Sequence, residues 1–110
     1  METAAPAPDL TGAQRRTLRR LAHPLRPVVQ LGGTGLSDGV LGAIDQALAD
    51  HELIKLKLLG ERDERQALAR DAAARTGSAL AGMVGRVAIL YRPAADPERR
   101  RIDPSERPAR

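Results

Sequence analysis

From Leu53 to Leu59 the chain alternates like a pleat: Ile54, Leu56 and Leu58 share one side, while Lys55 and Lys57 share the other with Leu53. Successive side chains of a strand point to opposite faces, so this segment is a β-strand with one buried and one wet side, and the wet side is basic. A chain holding such a strand needs sheet partners and something to cover the buried side. Composition alone leaves a four-helix bundle open, because the large apolar residues are nearly all Leu, Ile and Val, with no Phe, no Trp and a single Tyr91. Whatever the topology, the core is expected to be aliphatic.

The remaining elements follow from period and punctuation. Thr11 to Ala22 reads as a helix: Thr11 and Gln14 fit a capping box, and Leu18, Leu21, Ala22 and Leu25 recur at helical spacing until Pro24 ends it. Val28 to Leu31 is a short apolar run entering a tight turn at Gly32 to Gly35. Ser37 is a good cap for a second helix, with Val40, Leu41, Ile44 and Leu48 on its apolar stripe and an end near Asp50. Gly39 and Gly42 inside that helix each cost about 1 kcal/mol relative to alanine, which predicts close packing or close ligand approach there. Asp63 with Gln66 predicts a capping box for an Ala-rich third helix reaching about Thr76, closed by Gly77. Leu80–Val84 and Val87–Arg92 around Gly85-Arg86 predict a hairpin. The expected fold class is a two-layer α/β domain of order α-β-α-β-α-β-β with a four-stranded mixed sheet, the final hairpin adding an antiparallel edge.

Residues 1–9 are expected to be disordered, 10–93 to fold, and 94–110, rich in proline and alternating charge, to form a flexible Pro/Arg-rich tail. The absence of cysteine excludes disulfides and thiolate metal sites and fits a reducing compartment. Neither a signal peptide nor a membrane span is indicated, so a cytoplasmic protein is expected.

Charge distribution says more than the net +4. From Leu10 to Pro27 there are five arginines (Arg15, Arg16, Arg19, Arg20, Arg26) and no acid, whereas Ser37 to Glu52 holds four acids and no Lys or Arg. At about 100° per residue, Arg15, Arg16, Arg19 and Arg20 span an arc of roughly 140° opposite the leucines. Like charges at i,i+4 repel by a few tenths of a kcal/mol per pair, a cost that an anionic partner would offset. A membrane is the poorer candidate, because the opposite face of the helix is needed for the core.

The loop Gly32-Gly33-Thr34-Gly35 places backbone amides and a helix N-terminus at one point, which suits a phosphate. Glycine permits both positive φ and close backbone approach. Taken alone, the loop reads first as a plain turn between strand and helix, since short glycine motifs recur widely. It lacks the Gly-Lys-Ser/Thr ending of a nucleotide-hydrolysing loop and is too short for a dinucleotide fingerprint. Lys55 and Lys57, with Arg86 of the hairpin turn, complete the candidate contacts to a polyanion. Tyr91 reads as a core residue with a wet hydroxyl, and His23 and His51 lack partners at metal or catalytic spacing. No catalytic residue, metal or cofactor is expected.

Four segments carry a family likeness: Leu21-Ala-His-Pro-Leu-Arg-Pro-Val-Val, Leu31-Gly-Gly-Thr-Gly-Leu, Asp50-His-Glu-Leu-Ile-Lys-Leu-Lys and Gly85-Arg-Val-Ala-Ile-Leu-Tyr-Arg-Pro. In that order, over about Leu10 to Pro93, they resemble the YhbY family of bacterial RNA-binding proteins, stand-alone CRM domains related to modules of plant organelle splicing factors. The resemblance implies a fold like the C-terminal domain of translation initiation factor three and no catalytic activity. It also implies association with large-subunit ribosomal RNA or its precursor during assembly, with ribosomal proteins as further partners of a monomer. Family loops often carry a lysine where this chain has Gly33 and Thr34. The competing reading is a protein-binding adaptor of the translation machinery whose arginine helix docks an acidic partner.

Overall fold

The computed structural model describes residues 7–32 and 35–105. Helix α1, Gly12–Ala22, starts at the expected capping box: Gln14 N–H donates to Thr11 Oγ1 at 3.1 Å and Thr11 N–H to Gln14 Oε1 at 2.9 Å. Strand β1 (Val29–Leu31) leads through the glycine loop to α2 (Asp38–His51), where Ser37 accepts from Val40 N–H at 3.2 Å. Then come β2 (Leu53–Leu58), α3 (Arg62–Thr76), β3 (Ala79–Val84), β4 (Val87–Tyr91) and a single 3-10 turn at Pro97–Arg99. Gly77 closes α3 in the left-handed conformation at φ 66°, as its position in the sequence requires. The start of α3 differs from expectation: its cap is Glu61, with no side-chain cap hydrogen bond, so Asp63 lies inside the first turn.

The element order and the four-stranded mixed sheet match the sequence reading, but two details of arrangement do not. The sheet order is β1-β2-β4-β3, with β1 parallel to β2 and β4 antiparallel to both its neighbours, so the antiparallel strand lies inside the sheet and β3 forms the edge. The cause is β4 itself: Val87 to Tyr91 is an unbroken apolar run, and Ala88, Ile89, Leu90 and Tyr91 are all at most 3% exposed. Such a run needs cover on both faces and neighbours on both edges.

The second difference follows from the first. Helices lie on both faces of the sheet, giving three layers where two were expected. Leu31, Ile54, Leu56, Leu58, Ala88 and Leu90 pack with Ile44 and Leu48 of α2 and with Ala69, Ala72 and Ala73 of α3. The opposite pleat, Leu53, Ala79, Ala81, Ile89 and Tyr91, packs under Leu18 and Ala22 of α1, with Leu10 beside them. Each large side chain so buried contributes about 1.5–3 kcal/mol. The side of β2 expected to be wet is therefore covered by α1 at Leu53, and only Lys57 on it is exposed. Gly39 and Gly42 face solvent, and a methyl added at either position would meet nothing closer than 4.0 Å, so packing within this chain does not explain them.

The segment whose composition predicts flexibility lies against the fold from residue 94 to 105. Its anchor is Glu52, buried at 3% exposure and at φ 65° at the end of α2. Glu52 Oε2 accepts from Ala94 N–H at 2.8 Å, Oε1 from Arg101 N–H at 2.6 Å, and its carbonyl from Arg92 N–H at 2.8 Å. Ile102 then packs beside the α1 core, and Gln14 Nε2 donates to Ser105 Oγ at 3.2 Å. Backbone donors held by a charged acceptor offset what composition could not.

Glu52→Ala is expected to lower the unfolding free energy by about 2–3 kcal/mol in a urea titration, since both backbone donors lose a charged acceptor. Trypsin should then cut at Arg99, Arg100 and Arg101 faster than in the parent chain. Glu52→Gly should release the segment equally but recover some stability, because φ 65° no longer strains a side chain.

Candidate nucleic-acid interface

Parallel pairing makes β1 and β2 end at the same end of the sheet, and antiparallel β4 begins there. Leu59 N–H donates to Leu31 O at 2.9 Å and Leu58 N–H to Arg86 O at 2.7 Å, which brings the glycine loop beside the Gly85-Arg86 turn. Gly35, at φ 71°, returns its N–H to Gly32 O at 3.1 Å, closing the loop just before Ser37. Gly33 and Thr34 lie outside the described residues. The first-turn amides of α2 follow directly, and here a residue the sequence reading did not weigh intervenes. Asp38 puts a carboxylate in that first turn, where it competes with any incoming anion for the helix dipole. Beside Gly60, Glu61 and Glu64 are interleaved with Arg62 and with Arg65, which donates to Gly60 O at 2.6 Å. The other face of the sheet is the one that α1 covers.

On that side all four arginines of α1 are exposed. Among the described residues the salt bridges are Arg75–Asp71 and Arg92–Asp45, so Arg15, Arg16, Arg19 and Arg20 have no carboxylate within salt-bridge distance. Arg19 lies across β3 at Gly82: a methyl there would come 2.7 Å from Arg19 Cδ and 3.1 Å from Cγ. The register slips between Leu80 and Gly82, which puts Gly82 opposite Ile89 on the α1 face. A glycine inside a strand pattern signals such an approach, so Gly82 was legible in principle.

The arginine helix and the glycine loop do not form one pocket. Arg19 reaches β3 at one edge of the sheet and the loop leaves β1 at the other, three strand spacings or at least about 14 Å across the sheet, and Gly82 is level with Lys55 while the loop leaves at the level of Leu58. Across the gap run Gln30, Lys57, Val87 and Val84, paired in register on the α1 face, with Lys57 and Val84 exposed. The arginine helix and the glycine loop are therefore separate features, with Lys57 on the face between them.

Two of the other expected contacts are placed elsewhere. Lys55 is half-buried, and its Nζ donates to His23 O at 3.0 Å and Leu25 O at 3.1 Å, a cation on the carbonyl end of α1. Arg26 lies at the far end of the sheet, near Leu53 and His51. Tyr91 is buried and offers no stacking face; that burial, followed by the negative charge of Glu52, raises its phenol pKa. Among the described residues no group of three His, Cys, Asp or Glu could hold a metal ion and no helix is long and apolar enough to cross a membrane.

Comparison with known proteins gives a consistent set of likenesses. The CRS1 / YhbY (CRM) domain profile matches residues 10–92. "Probable RNA-binding protein PA4753" of Pseudomonas aeruginosa is 43% identical over 84 residues, covering 76% of this chain and 81% of its own length. An RNA-binding protein of Haemophilus influenzae is 42% identical over 88 residues, covering 79% of this chain and 89% of its own length. The solution structure of SAV1595 from Staphylococcus aureus superposes with a TM-score of 0.74 at 32% identity, covering 86% of this chain and 100% of that one.

The two lysines of β2 should separate in a stability measurement. Lys55→Met is expected to cost about 1–2 kcal/mol, because two carbonyls at the end of α1 lose a charged donor. Lys57→Met should change the unfolding free energy by less than about 0.5 kcal/mol, as for an exposed surface position. Equal losses would show that Lys55 does not hold the helix.

Proposed function

Because the chain belongs to the CRS1 / YhbY (CRM) domain family, we propose that it binds structured RNA by its backbone, associates through that RNA with the precursor of the large ribosomal subunit, and assists its assembly. The observation that carries this reading is the sorting of charge. Four arginines with no carboxylate partner among the described residues lie on α1, over the face that carries Lys57, while on the other face α2 holds acids and no Lys or Arg and the arginines of α3 are interleaved with Glu61, Asp63, Glu64 and Asp71. The RNA-binding names of the Pseudomonas and Haemophilus relatives support it.

In this mechanism the α1 arginines supply most of the affinity, and the amides around Gly32 and Gly35 orient one phosphate. Lys57 and Arg86 neutralise the backbone between them. With its one tyrosine buried, the domain offers no aromatic platform for bases, and the α1 face reads helix shape and phosphate spacing. The family binds and does not catalyse, and the domain needs no cofactor for this role. Ribosomal proteins would be secondary contacts made once the RNA is engaged.

Neutralising four to six phosphates gives an expected slope of log affinity against log salt between about −3 and −5. Alanine at Arg15, Arg16, Arg19, Arg20 or Lys57 should each flatten it by somewhat under one unit, and Gly35→Asp should weaken binding outright. A salt-independent affinity would remove the basis of the proposal. Co-sedimentation with large-subunit precursors should vanish on ribonuclease digestion, and survival as a protein-only complex would point to an acidic protein partner instead.

A further inference from the structure

At the end of the sheet opposite the glycine loop, α1's exit, the start of β2 and the docked C-terminal segment enclose an apolar hollow of about 450 Å³. Leu25 and Val28 line it, at 39% and 44% exposure, and they are two of only three large apolar residues among those described that are exposed. Ile102 and His51 line it too, with the exposed Arg26 and Arg101, and among the described residues no Asp or Glu does.

The walls are fixed by backbone hydrogen bonds. Leu25 N–H donates to Ala22 O at 2.9 Å, Leu25 O accepts from Lys55 Nζ at 3.1 Å, and Val28 N–H donates to Lys55 O at 2.9 Å. Arg101 N–H is held by Glu52, which is itself buried and engaged with two backbone donors. Exposed apolar side chains on a rigid frame bind with little ordering cost. With exposed arginines beside them they suit a ligand that is flat and apolar on one side and anionic on the other.

Resting on the RNA-binding reading above, we infer that this hollow is a second RNA contact that takes a single unpaired nucleotide. The base lies against Leu25, Val28 and Ile102, and its flanking phosphates meet Arg26 and Arg101. Apolar side chains receive extruded bases elsewhere in nucleic-acid recognition, and guanidinium groups suit their phosphates. The role expected of Arg26 is thereby kept, but at a place separate from the glycine loop. It also gives Arg101, in a segment beyond the family match at 10–92, a binding task.

The test compares two RNA hairpins, one fully paired and one with a single unpaired uridine in the stem, by fluorescence anisotropy with the full chain. The unpaired nucleotide should raise affinity about tenfold. Leu25→Asp, and separately Arg26→Ala with Arg101→Ala, should erase that preference, while Gly35→Asp should weaken both hairpins alike. Val28→Asp serves as the second wall variant if Leu25→Asp fails to melt cooperatively. Equal affinity of the parent protein for the two hairpins overturns the inference and leaves the RNA-binding reading standing; binding to neither overturns both. If Leu25→Asp converts an RNA-free dimer to a monomer in sedimentation, or an acidic peptide displaces neither hairpin yet binds at Arg26, the occupant is protein and the inference fails.

Discussion

Everything in this fold turns on β4 being buried from both sides. Four consecutive residues, Ala88 to Tyr91, have almost no contact with solvent, and they alternate between two separate cores. A strand in that position forces α2 and α3 onto one face and draws α1 onto the other. The arginine helix is thus not an appendage to a two-layer domain but the lid of its second core. Leu18 and Ala22 anchor it, so the guanidinium groups on its outer side are presented from a rigid support.

Much of this was written locally in the chain. The capping box of α1, the Ser37 cap, the Gly77 end of α3 and the two-residue hairpin turn all act within four residues, where composition and spacing are sufficient guides. What escaped was set by neighbours distant in sequence. β4 takes the inner position because β3 has Gly82 and an exposed Val84 and needs less cover, a comparison visible only when the strands are ranked against each other. Lys55 looked like part of a basic sheet face, yet the carbonyls at the end of α1, about thirty residues earlier, take its charge. Glu52 looked like one acid among several, and only the fold shows its carboxylate gripping Ala94 and Arg101.

The candidate site shows the same division. Its residue types were legible, and their grouping was not. Spacing along α1 placed four arginines on one arc, but nothing in the sequence told how far that arc stands from the glycine loop. The sheet order answers this in part: β1 and β3 are opposite edges, so the loop stands a full sheet width from Arg19 at Gly82. Asp38 at the start of α2 reinforces the separation, because it makes the loop a poorer anion site than its amides alone suggest.

The docking of residues 94–105 also decides where the polypeptide enters and leaves. Pro8, Asp9 and Leu10 share a hollow with Arg100 to Pro104, and Gln14 reaches Ser105, all at the end of the sheet where Tyr91 lies. The two ends of the described chain therefore emerge together at the pole away from the glycine loop. A domain so arranged can be spliced into a longer polypeptide, or repeated along one, as a closed cassette whose junctions leave its loop end unobstructed.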